Sequence, residues 1–513
     1  MHRKLLIILA FSIIFAAAIQ SFALKGSEPA ADLVILNAVV KTLDDASPEA
    51  EAVVIQGERF IFVGSSQEAK KFIRPETRVI DAGGKLLLPG FNDAHVHLFS
   101  VGNIFSSLNL SSAKTQKEVY EKLEFYARFL PAGRWIIGSN LSSDISLSIE
   151  TVDSLTPKNP VLLYRTSNDE AFVNSAALKV SRLDTANPEL FNNSIERRSS
   201  DSKPTGTIRA DALMVVKAAV PSNHTRNTLE VIETAVNYLV SFGITSVQDT
   251  HSDDLSEVLK SIEKDGRLKL RVYDCVSLLN WAKLAVAGIK PASGSSKIRQ
   301  GCVKGFYEED DAGFEELASN IKGADTAGLQ VLIHAIGKKN VSSTLEIFEK
   351  AVADNPNRDR RFRIEHAHEI SSSDIAKTAR LNIVLSMQPA LFSASNNPVD
   401  DFKKILDSKI HLAFGSDTAM IYPSPFEGIY RASSDKNKGL SLIDAVRAYT
   451  SGAAFAEFQE NEKGTISPGK LADFILLDRN IFSVNDPAQV LQTQVVATFL
   501  GGKIVYENGI KKL

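Results

Sequence analysis

Metal-capable side chains recur at defined points along the middle of the sequence. His95 and His97 are two residues apart in an apolar run, so on a β-strand both side chains project to the same face. The later apolar runs carry further residues of this kind near their ends: Lys304, His334, His366 and Asp417. Imidazole and carboxylate groups are the ligands that zinc takes in proteins. The chain has only nine histidines, so four of them in this order predict a metal centre.

Each of these residues has a simpler interpretation when it is taken alone. An isolated histidine on an apolar strand is most often a hydrogen-bonded core residue, and Asp417 could be the N-cap of a helix. Lys304 is harder to explain in this way, because burying an ammonium group among apolar neighbours is costly unless it is paired or modified. The order of all six residues along the chain favours the metal interpretation.

Apolar strand-like runs carry these residues and alternate with amphipathic helical stretches. In two of the helical stretches, residues 227–243 and 341–355, apolar residues recur at three- and four-residue spacing. Eight such strands, each followed by a crossover, predict the α/β fold class and a TIM-like (β/α)8 barrel over residues 86–461. Barrel enzymes place their catalytic groups at the C-terminal ends of the strands. The strand count requires an insertion over about residues 100–223, whose position favours a lid or wall of the site.

Short β-branched runs at both ends of the chain predict a second domain. Residues 24–85 contain such runs broken by Asn, Asp and Gly, which is typical of antiparallel strands. Residues 462–513 have the same character. We expect the two segments to pair into one small composite β-sandwich domain.

The first residues indicate targeting rather than folding. Arg3 and Lys4 precede an apolar stretch that runs from Leu5 to Ile19, and Ser21 and Ala23 fit a small-x-small cleavage site. We predict a signal peptide over residues 1–23 and a secreted or periplasmic protein. An uncleaved anchor is the alternative, because the stretch approaches the roughly 20 residues that span a bilayer.

Composition limits the classes of partner. The 58 Lys+Arg and 61 Asp+Glu give a net charge of -3, which argues against a nucleic-acid binder held by electrostatics. We expect a small-molecule substrate, no nucleic acid and no membrane contact after signal cleavage, and we allow for a homo-oligomer. Cys275 and Cys302 could form one disulfide in an oxidising compartment, although buried free thiols suit their apolar runs equally well.

Four motifs give the chain a resemblance to a known family. The segments LPGFNDAHVH, LIHAIG, RIEHAH and FGSDTA resemble the metal-binding strands of the amidohydrolase superfamily, particularly its N-substituted formamide deformylase-like branch. The segment GTISPGKLADFILLD resembles the stretch in which such chains return from the barrel to the β domain. The resemblance extends from about Asp32 to Tyr506. It implies a metal-dependent hydrolase that cleaves an amide- or formamide-type carbon–nitrogen bond, other than a peptide bond, through a metal-bridging hydroxide.

The resemblance also implies how the histidines divide between metal ions. His95 and His97 would ligate one divalent ion, and His334 and His366 a second. Zinc suits such histidine-rich ligands best, although iron, manganese and cobalt accept the same ligand types.

Lys304 and Asp417 complete the implied centre. Lys304 would bridge the two ions after carboxylation of its amine, and Asp417 would ligate the first ion and transfer protons as the catalytic residue. Two divalent ions about 3.5 to 4 Å apart repel each other strongly unless anions lie between them. An unmodified Lys304 would add positive charge, and would therefore predict one ion instead of two.

The sequence departs from the family in the segment RTSNDEAFVN. Relatives often carry Asp-Gly-His where this chain has Ser-Asn-Asp at residues 167–169, within the frame set by Arg165 and Asn174. Glu308 stands where relatives carry Asp and could equally be a solvated carboxylate in the first turn of a helix. His368 shares the strand parity of His366 and could equally lie in a loop. The candidate substrate-binding residues are Arg165, Asp169, Asn174, Glu308 and His368.

Two alternative functions fit the same residues. A mononuclear deaminase or cyclic-amide hydrolase would use the same histidines but has no evident need of Lys304. A non-catalytic secreted binding protein on the same fold is the other alternative, and the altered segment around Asp169 motivates it.

Overall fold

The structure of the protein is a computed structural model. It describes residues 30–166, 169–185, 191, 193–221, 228–250, 255–308, 313–356, 358–393, 401–417 and 424–508. The predicted signal peptide, Ser167 and Asn168 lie outside the described residues.

Eight parallel strands form a barrel, and we number them β1 to β8 in chain order. They are Phe91–Val96 (β1), Ile244–Asp249 (β2), Arg271–Ser277 (β3), Ile298–Phe306 (β4), Gln330–Ala335 (β5), Arg363–His366 (β6), Val384–Met387 (β7) and Leu412–Phe414 (β8). Each strand pairs in parallel with the next one along the chain. The N–H of Asp417, just after β8, donates to the carbonyl of His95 on β1 over 2.7 Å and nearly closes the ring. The predicted (β/α)8 barrel is confirmed.

Amphipathic helices cover the outside of the barrel. Lys338–Asp354, for example, buries Val341, Leu345 and Phe348 on one face because these residues recur at helical spacing. The helices from β2 onward are Ser256–Lys264, Trp281–Val286, Phe314–Thr326, Lys338–Asp354, Ser372–Arg380, Pro389–Ser393, Phe402–Asp407, Pro425–Ser433, Leu442–Ala448 and Ser451–Ala456. A further helix, Thr228–Val240, leads into β2.

The two ends of the chain form a composite domain of two sheets. One sheet consists of Leu33–Leu36, Ala52–Gln56, Arg59–Gly64 and Arg78–Asp81, and the helix Ser66–Ala69 connects its last two strands. The other consists of Val39–Lys41, Glu49–Ala50, Leu86–Pro89, Phe474–Leu477, Val495–Leu500 and Lys503–Glu507. Side chains from both sheets share one core, which includes Ile35, Phe60, Phe474 and Phe499. The predicted composite β-sandwich is confirmed.

The boundary between the composite domain and the barrel differs from the prediction. The apolar run that begins at Lys85 contains two strands, because Leu86–Pro89 pairs antiparallel with Phe474–Leu477 before β1 begins. Gly90 joins them where a Cβ atom would lie only 2.2 Å from the side-chain oxygen of Thr245. The barrel therefore begins at Phe91, five residues later than position 86.

The insertion between β1 and β2 carries its own six-stranded sheet. Its strands are Leu108–Asn109, Ile136–Leu141, Val161–Arg165, Glu170–Val173, Ile195–Arg197 and Pro204–Arg209, and its helices are Leu98–Asn103, Gln116–Phe129, Ile149–Leu155, Ser175–Val180 and Ala210–Ala219. Phe105 and Phe129 pack their rings 5.1 and 4.8 Å from the ring of Tyr238, on the helix that leads into β2. This aromatic packing fixes the insertion against the barrel.

The two cysteines are bonded to each other inside the barrel. Cys275 on β3 and Cys302 on β4 are register partners and form a disulfide. Both are fully buried beside Tyr273 and Leu332. The disulfide alternative therefore describes this structure, and the free thiols do not.

None of the helices in the described ranges has both the length and the apolar character needed to cross a membrane.

Candidate metal centre

The barrel places all six predicted metal ligands at the C-terminal ends of its strands. His95 lies on β1 and His97 directly follows that strand, whereas the other four residues come from β4 and later strands. Lys304 lies near the end of β4, and His334 lies on β5. His366 is the last residue of β6, and Asp417 follows β8. Parallel strands end at the same rim, so residues far apart in sequence meet there.

Asp417 lies among the imidazoles. Its Oδ1 atom is 3.3 Å from Nε2 of His97 and 3.6 Å from Nε2 of His95, and its Oδ2 atom is 4.0 Å from Nδ1 of His366. The ring of His366 is centred 4.9 Å from that of His95 and 4.5 Å from that of His334. His95, His366 and Asp417 each have one possible ligand atom that lies within 4.8 Å of those of the other two residues. One metal ion can bridge atoms at this spacing.

Lys304 enters the same centre from β4. Its side chain is buried, and its Nζ atom lies 4.9 Å from the centre of the Phe306 ring. The Phe306 ring in turn lies 5.4 Å from the ring of His334. Burial lowers the pKa of Lys304 to about 8, so a larger fraction of the amine is neutral than on an exposed lysine.

Burial holds three of the imidazoles in the neutral form that binds metals. Burial, together with the nearby Lys304 ammonium, lowers the pKa of His95 to about 3 and that of His334 to about 4. Burial and the neighbouring His334 lower the pKa of His366 to about 4. A metal ion therefore need not displace protons from these rings at neutral pH.

Asp417 is the anionic member of the centre. Burial by itself would raise its pKa, but the hydrogen bond from His97 and the electrostatic interaction with the neighbouring imidazoles lower it to about 2. Its side chain is 21% exposed, whereas that of His95 is 1% exposed. Asp417 therefore combines a fixed negative charge with access from the open end of the barrel.

The backbone at two of these positions adopts a conformation that residues with side chains rarely take. His366 has φ of 72° and Asp417 has φ of 49°, and Ala367 follows with φ of 50°. Such residues cost on the order of 1 kcal/mol each and cluster at functional sites. The left-handed turns direct the chain away from the strands just where these two side chains point into the centre.

A buried carboxylate fixes the ring of His95. Oε2 of Glu365 accepts a hydrogen bond from Nδ1 of His95 at 2.5 Å, which leaves Nε2 facing the centre. Oε1 of Glu365 accepts from Nε of Arg363 at 2.8 Å, and Arg363 also donates to the carbonyl of Ala94 over 2.6 Å. Burial would raise the pKa of Glu365, but Arg363 and His95 hold it well below its usual value.

Two further residues orient the ligands. Oε1 of Gln388 lies 2.7 Å from Nδ1 of His366, and the same ring nitrogen lies 4.0 Å from Oδ2 of Asp417. Oδ1 of Asp93 accepts from the backbone N–H of His95 at 3.2 Å and of Ser416 at 2.9 Å. Our sequence analysis missed Asp93, Arg363, Glu365 and Gln388. Charged residues within apolar strands are the signal that could have revealed the first three.

The motifs, fold and site together match one protein family. The sequence model of the amidohydrolase family matches residues 78–506. The chain therefore belongs to the amidohydrolase family. The family resemblance in the sequence is confirmed, and as an amidohydrolase the protein is a metal-dependent hydrolase that acts on carbon–nitrogen bonds.

Similar proteins span nearly the whole amidohydrolase chain. It is 29% identical to the protein LONG AFTER FAR-RED 3 of Arabidopsis thaliana, over 93% of this chain and 92% of that protein. It is 26% identical to N-substituted formamide deformylase of Arthrobacter pascens, over 93% of this chain and 98% of that enzyme. Among solved structures, an uncharacterized metal-dependent hydrolase from Pyrococcus furiosus superposes with a TM-score of 0.60 at 23% identity, over 88% of this chain and 100% of that chain.

Two of the predicted substrate-binding residues are used to hold the insertion together. Asn174 is fully buried and caps the helix Ser175–Val180, where its Oδ1 atom accepts from the N–H groups of Ala177 and Val161 at 3.0 and 2.9 Å. Arg165 donates from NH1 to the carbonyl oxygens of Ser142 and Ile145 at 2.6 and 2.8 Å. These bonds give Arg165 and Asn174 a role in folding the insertion.

The other three candidates differ in their exposure in the amidohydrolase. Asp169 is exposed beside a cavity of the insertion that Arg165 and Arg209 also line. Glu308 is exposed in the segment after β4. His368 is buried in the segment after β6, where its carbonyl accepts from the N–H of Gly337 at 3.1 Å. The structure thus brings together the six candidate metal ligands, and substrate binding by the other candidates stays a prediction.

Proposed function

We propose that the protein hydrolyses an amide- or formamide-type bond in a small molecule with two divalent ions, best zinc, held by the six residues. The observation that carries the proposal is the convergence of the Asp417 carboxylate with the imidazoles of His95, His97 and His366. Water would supply the oxygen that bonds to the acyl carbon as the carbon–nitrogen bond breaks. The products would be an acid and an amine.

The donor set fits a metal centre. Nδ1 of His95 is hydrogen-bonded to Glu365, and Nε2 of the same ring lies 3.6 Å from Oδ1 of Asp417, toward the centre. Rings oriented in this way by second partners are typical of metal ligands. When bound, the ions would supply Lewis-acid chemistry that activates water and polarises the substrate carbonyl.

Lys304 supports the presence of two ions. Within the described residues, no carboxylate oxygen lies within 4.0 Å of its Nζ atom, although the side chain is buried. Carboxylation of the neutral amine by carbon dioxide would replace a cation with an anion at this position. An anion there would offset the repulsion between two divalent ions.

Asp417 is the residue proposed to transfer the proton. It is ionised, it is the most accessible carboxylate of the centre, and His97 holds its Oδ1 atom in place. In the proposed reaction it accepts a proton from the attacking water and returns that proton to the leaving nitrogen.

A substrate panel tests the proposed function. The protein reconstituted with zinc and bicarbonate should hydrolyse members of a panel of N-acyl amines, formamides and cyclic ureas, with release of amine. Asp417→Asn should lower kcat by about 10²-fold or more, which is the contribution expected of a general base. The surface variant Glu349→Gln is the matched control, because Glu349 pairs with Lys377 and Arg380 on the barrel exterior.

The alternative functions give different results in the same assay. One ion per chain, with release of ammonia from an aminated heterocycle, would favour a mononuclear deaminase. One ion per chain with turnover confined to cyclic ureas would favour a mononuclear cyclic-amide hydrolase. No turnover by the metal-loaded protein, with Asp417→Asn indistinguishable from wild type, would favour a binding protein.

We also propose that the protein acts outside the cytoplasm. The basic and apolar leader supports export, and the bond between Cys275 and Cys302 supports an oxidising compartment, where disulfides persist. Recovery of the processed chain from the periplasm or medium would test this, and recovery of the full-length chain in the cytoplasm would contradict it.

A further inference from the structure

Large apolar side chains are exposed on one side of the barrel mouth. Leu279 is 71% exposed, Phe306 is 52% exposed and Ile336 is 36% exposed. They stand at the C-terminal ends of three consecutive strands, because Leu279 follows β3, Phe306 is the last residue of β4 and Ile336 directly follows β5. We call these three residues the apolar ledge.

Strand register places the ledge beside the metal centre. Ser277 is the register partner of Lys304, so Leu279 and Phe306 each stand two residues beyond a paired position. Phe306 is in turn the register partner of His334, and Ile336 stands two residues beyond that histidine. Phe306 thus lies between Leu279 and Ile336 along the rim.

Phe306 links the ledge to the centre by direct contact. Its ring lies 5.4 Å from the ring of His334 and 4.9 Å from Nζ of Lys304. A half-exposed phenylalanine lacks part of the stabilising free energy that burial of its ring would give. Adjacent exposed apolar residues typically mark a ligand-binding surface. Phe306 joins the ledge to the metal centre, which favours a part of the substrate as the occupant, because the substrate has to approach His334 and Lys304.

We infer that the ledge receives a hydrophobic substituent of the substrate. This inference rests on the proposed function and narrows its substrate class to amides or formamides that carry an alkyl or aryl group of about four carbons or more. Small polar amides would leave the ledge in water. Phe306 is then a specificity-determining residue, with Leu279 and Ile336 as its flanks.

Binding of metal-chelating probes tests the ledge without requiring turnover. Alkanohydroxamic acids extend from the acyl side, and N-alkyl-N-hydroxyformamides extend from the amine side. For the zinc-loaded protein, calorimetry should show Kd falling by about two- to fourfold with each of the first few methylene groups in one of the two series. The series that responds identifies the half of the substrate that lies on the ledge.

Variants assign the effect to the ledge. The measured quantity is the Kd of the shortest probe divided by the Kd of the longest probe. In Phe306→Ala this ratio should fall to about three or less. In Phe306→Leu most of the wild-type ratio should remain, because leucine keeps an apolar surface there. Leu491→Ala is the matched control, because Leu491 is also exposed, at 42%, but lies in the C-terminal part of the composite domain. It should leave the ratio unchanged.

The possible outcomes separate the ledge from the proposed function. A Kd that is independent of chain length in both series of the wild-type protein would overturn the ledge, and so would a Phe306→Ala variant that keeps the wild-type ratio. If Phe306→Ala loses zinc, the double variant Leu279→Ala/Ile336→Ala replaces it and should reduce the ratio at least threefold. Chain-length-dependent binding with no hydrolysis of any matching N-alkylformamide or N-alkylamide would overturn the proposed function but support the ledge.

Discussion

The backbone N–H of Asp417 donates a hydrogen bond to the carbonyl oxygen of His95 over 2.7 Å. This bond joins the residue after β8 to a metal-centre residue of β1, so closure of the barrel and assembly of the centre depend on the same contact. Gly415 permits the approach, because a Cβ atom at that position would lie 2.4 Å from the backbone nitrogen of His95.

Asp93 should act as a positioning residue for this junction. It accepts hydrogen bonds from the N–H groups of His95 and Ser416, one on each side of the closure. Asp93→Ala should weaken zinc binding by about 10- to 100-fold, as other second partners of metal ligands do. Asp93→Asn keeps an oxygen acceptor and should recover most of the affinity in a competition assay with a zinc chelator. Equal affinities for the two variants would contradict this role.

Glu365 should determine how His95 is presented to the metal. Glu365→Gln should weaken zinc binding by about 10- to 100-fold, because a neutral amide is a poorer acceptor for the Nδ1–H of His95. Glu365→Ala should also lower the free energy of unfolding by about 3 to 5 kcal/mol, since it leaves the Arg363 charge buried without its partner. Chelator competition and urea unfolding measure the two effects, and wild-type zinc affinity in Glu365→Gln would refute the first.

The barrel and the strand-end positions of the six candidate ligands could be predicted from the sequence because both depend on local patterns. Eight apolar runs specified the strands, and the strand ends specified where His334, His366 and Asp417 meet. The junction at Gly90 could not be located, because Leu86–Pro89 joins the composite domain through pairing with Phe474–Leu477, almost 400 residues away, and no local pattern records that partner.

The supporting residues were hidden for a related reason. Arg363 and Glu365 stand out as charges in an apolar strand, but their partners, such as Ala94, come from another part of the chain. Asn174 shows a second difficulty, because a polar residue within a family motif can also act as an N-cap and accept from a buried backbone N–H group. Sequence spacing indicates that a residue is constrained, and only its partners show whether folding or chemistry constrains it.

Asn174 should therefore matter for stability rather than for substrate binding. Asn174→Ala removes the cap of the helix Ser175–Val180 and leaves the N–H of Val161 without an acceptor. We expect a loss of about 2 to 4 kcal/mol in the free energy of unfolding, with KM changed by no more than about twofold. Urea unfolding and steady-state kinetics measure these quantities. A large rise in KM with unchanged stability would return Asn174 to the substrate site.

The disulfide should stabilise the barrel directly beneath Lys304. Cys275 and Cys302 are 27 residues apart, and closing a loop of this length is worth about 3 to 4 kcal/mol through the entropy of the unfolded chain. The double variant Cys275→Ala/Cys302→Ala should lose a comparable free energy of unfolding. Native wild-type protein should show no thiol that reacts with a thiol reagent, and two should appear after reduction in denaturant. Free thiols in the unreduced, denatured protein would contradict the bond.

Zinc content, measured by plasma mass spectrometry after reconstitution with zinc and bicarbonate, tests the central claim most directly. The account predicts roughly two zinc ions per chain in the wild-type protein and roughly one in Lys304→Ala, because the bridging anion is lost. It would be contradicted by one zinc ion or fewer in the wild-type protein, or by equal zinc content in both proteins.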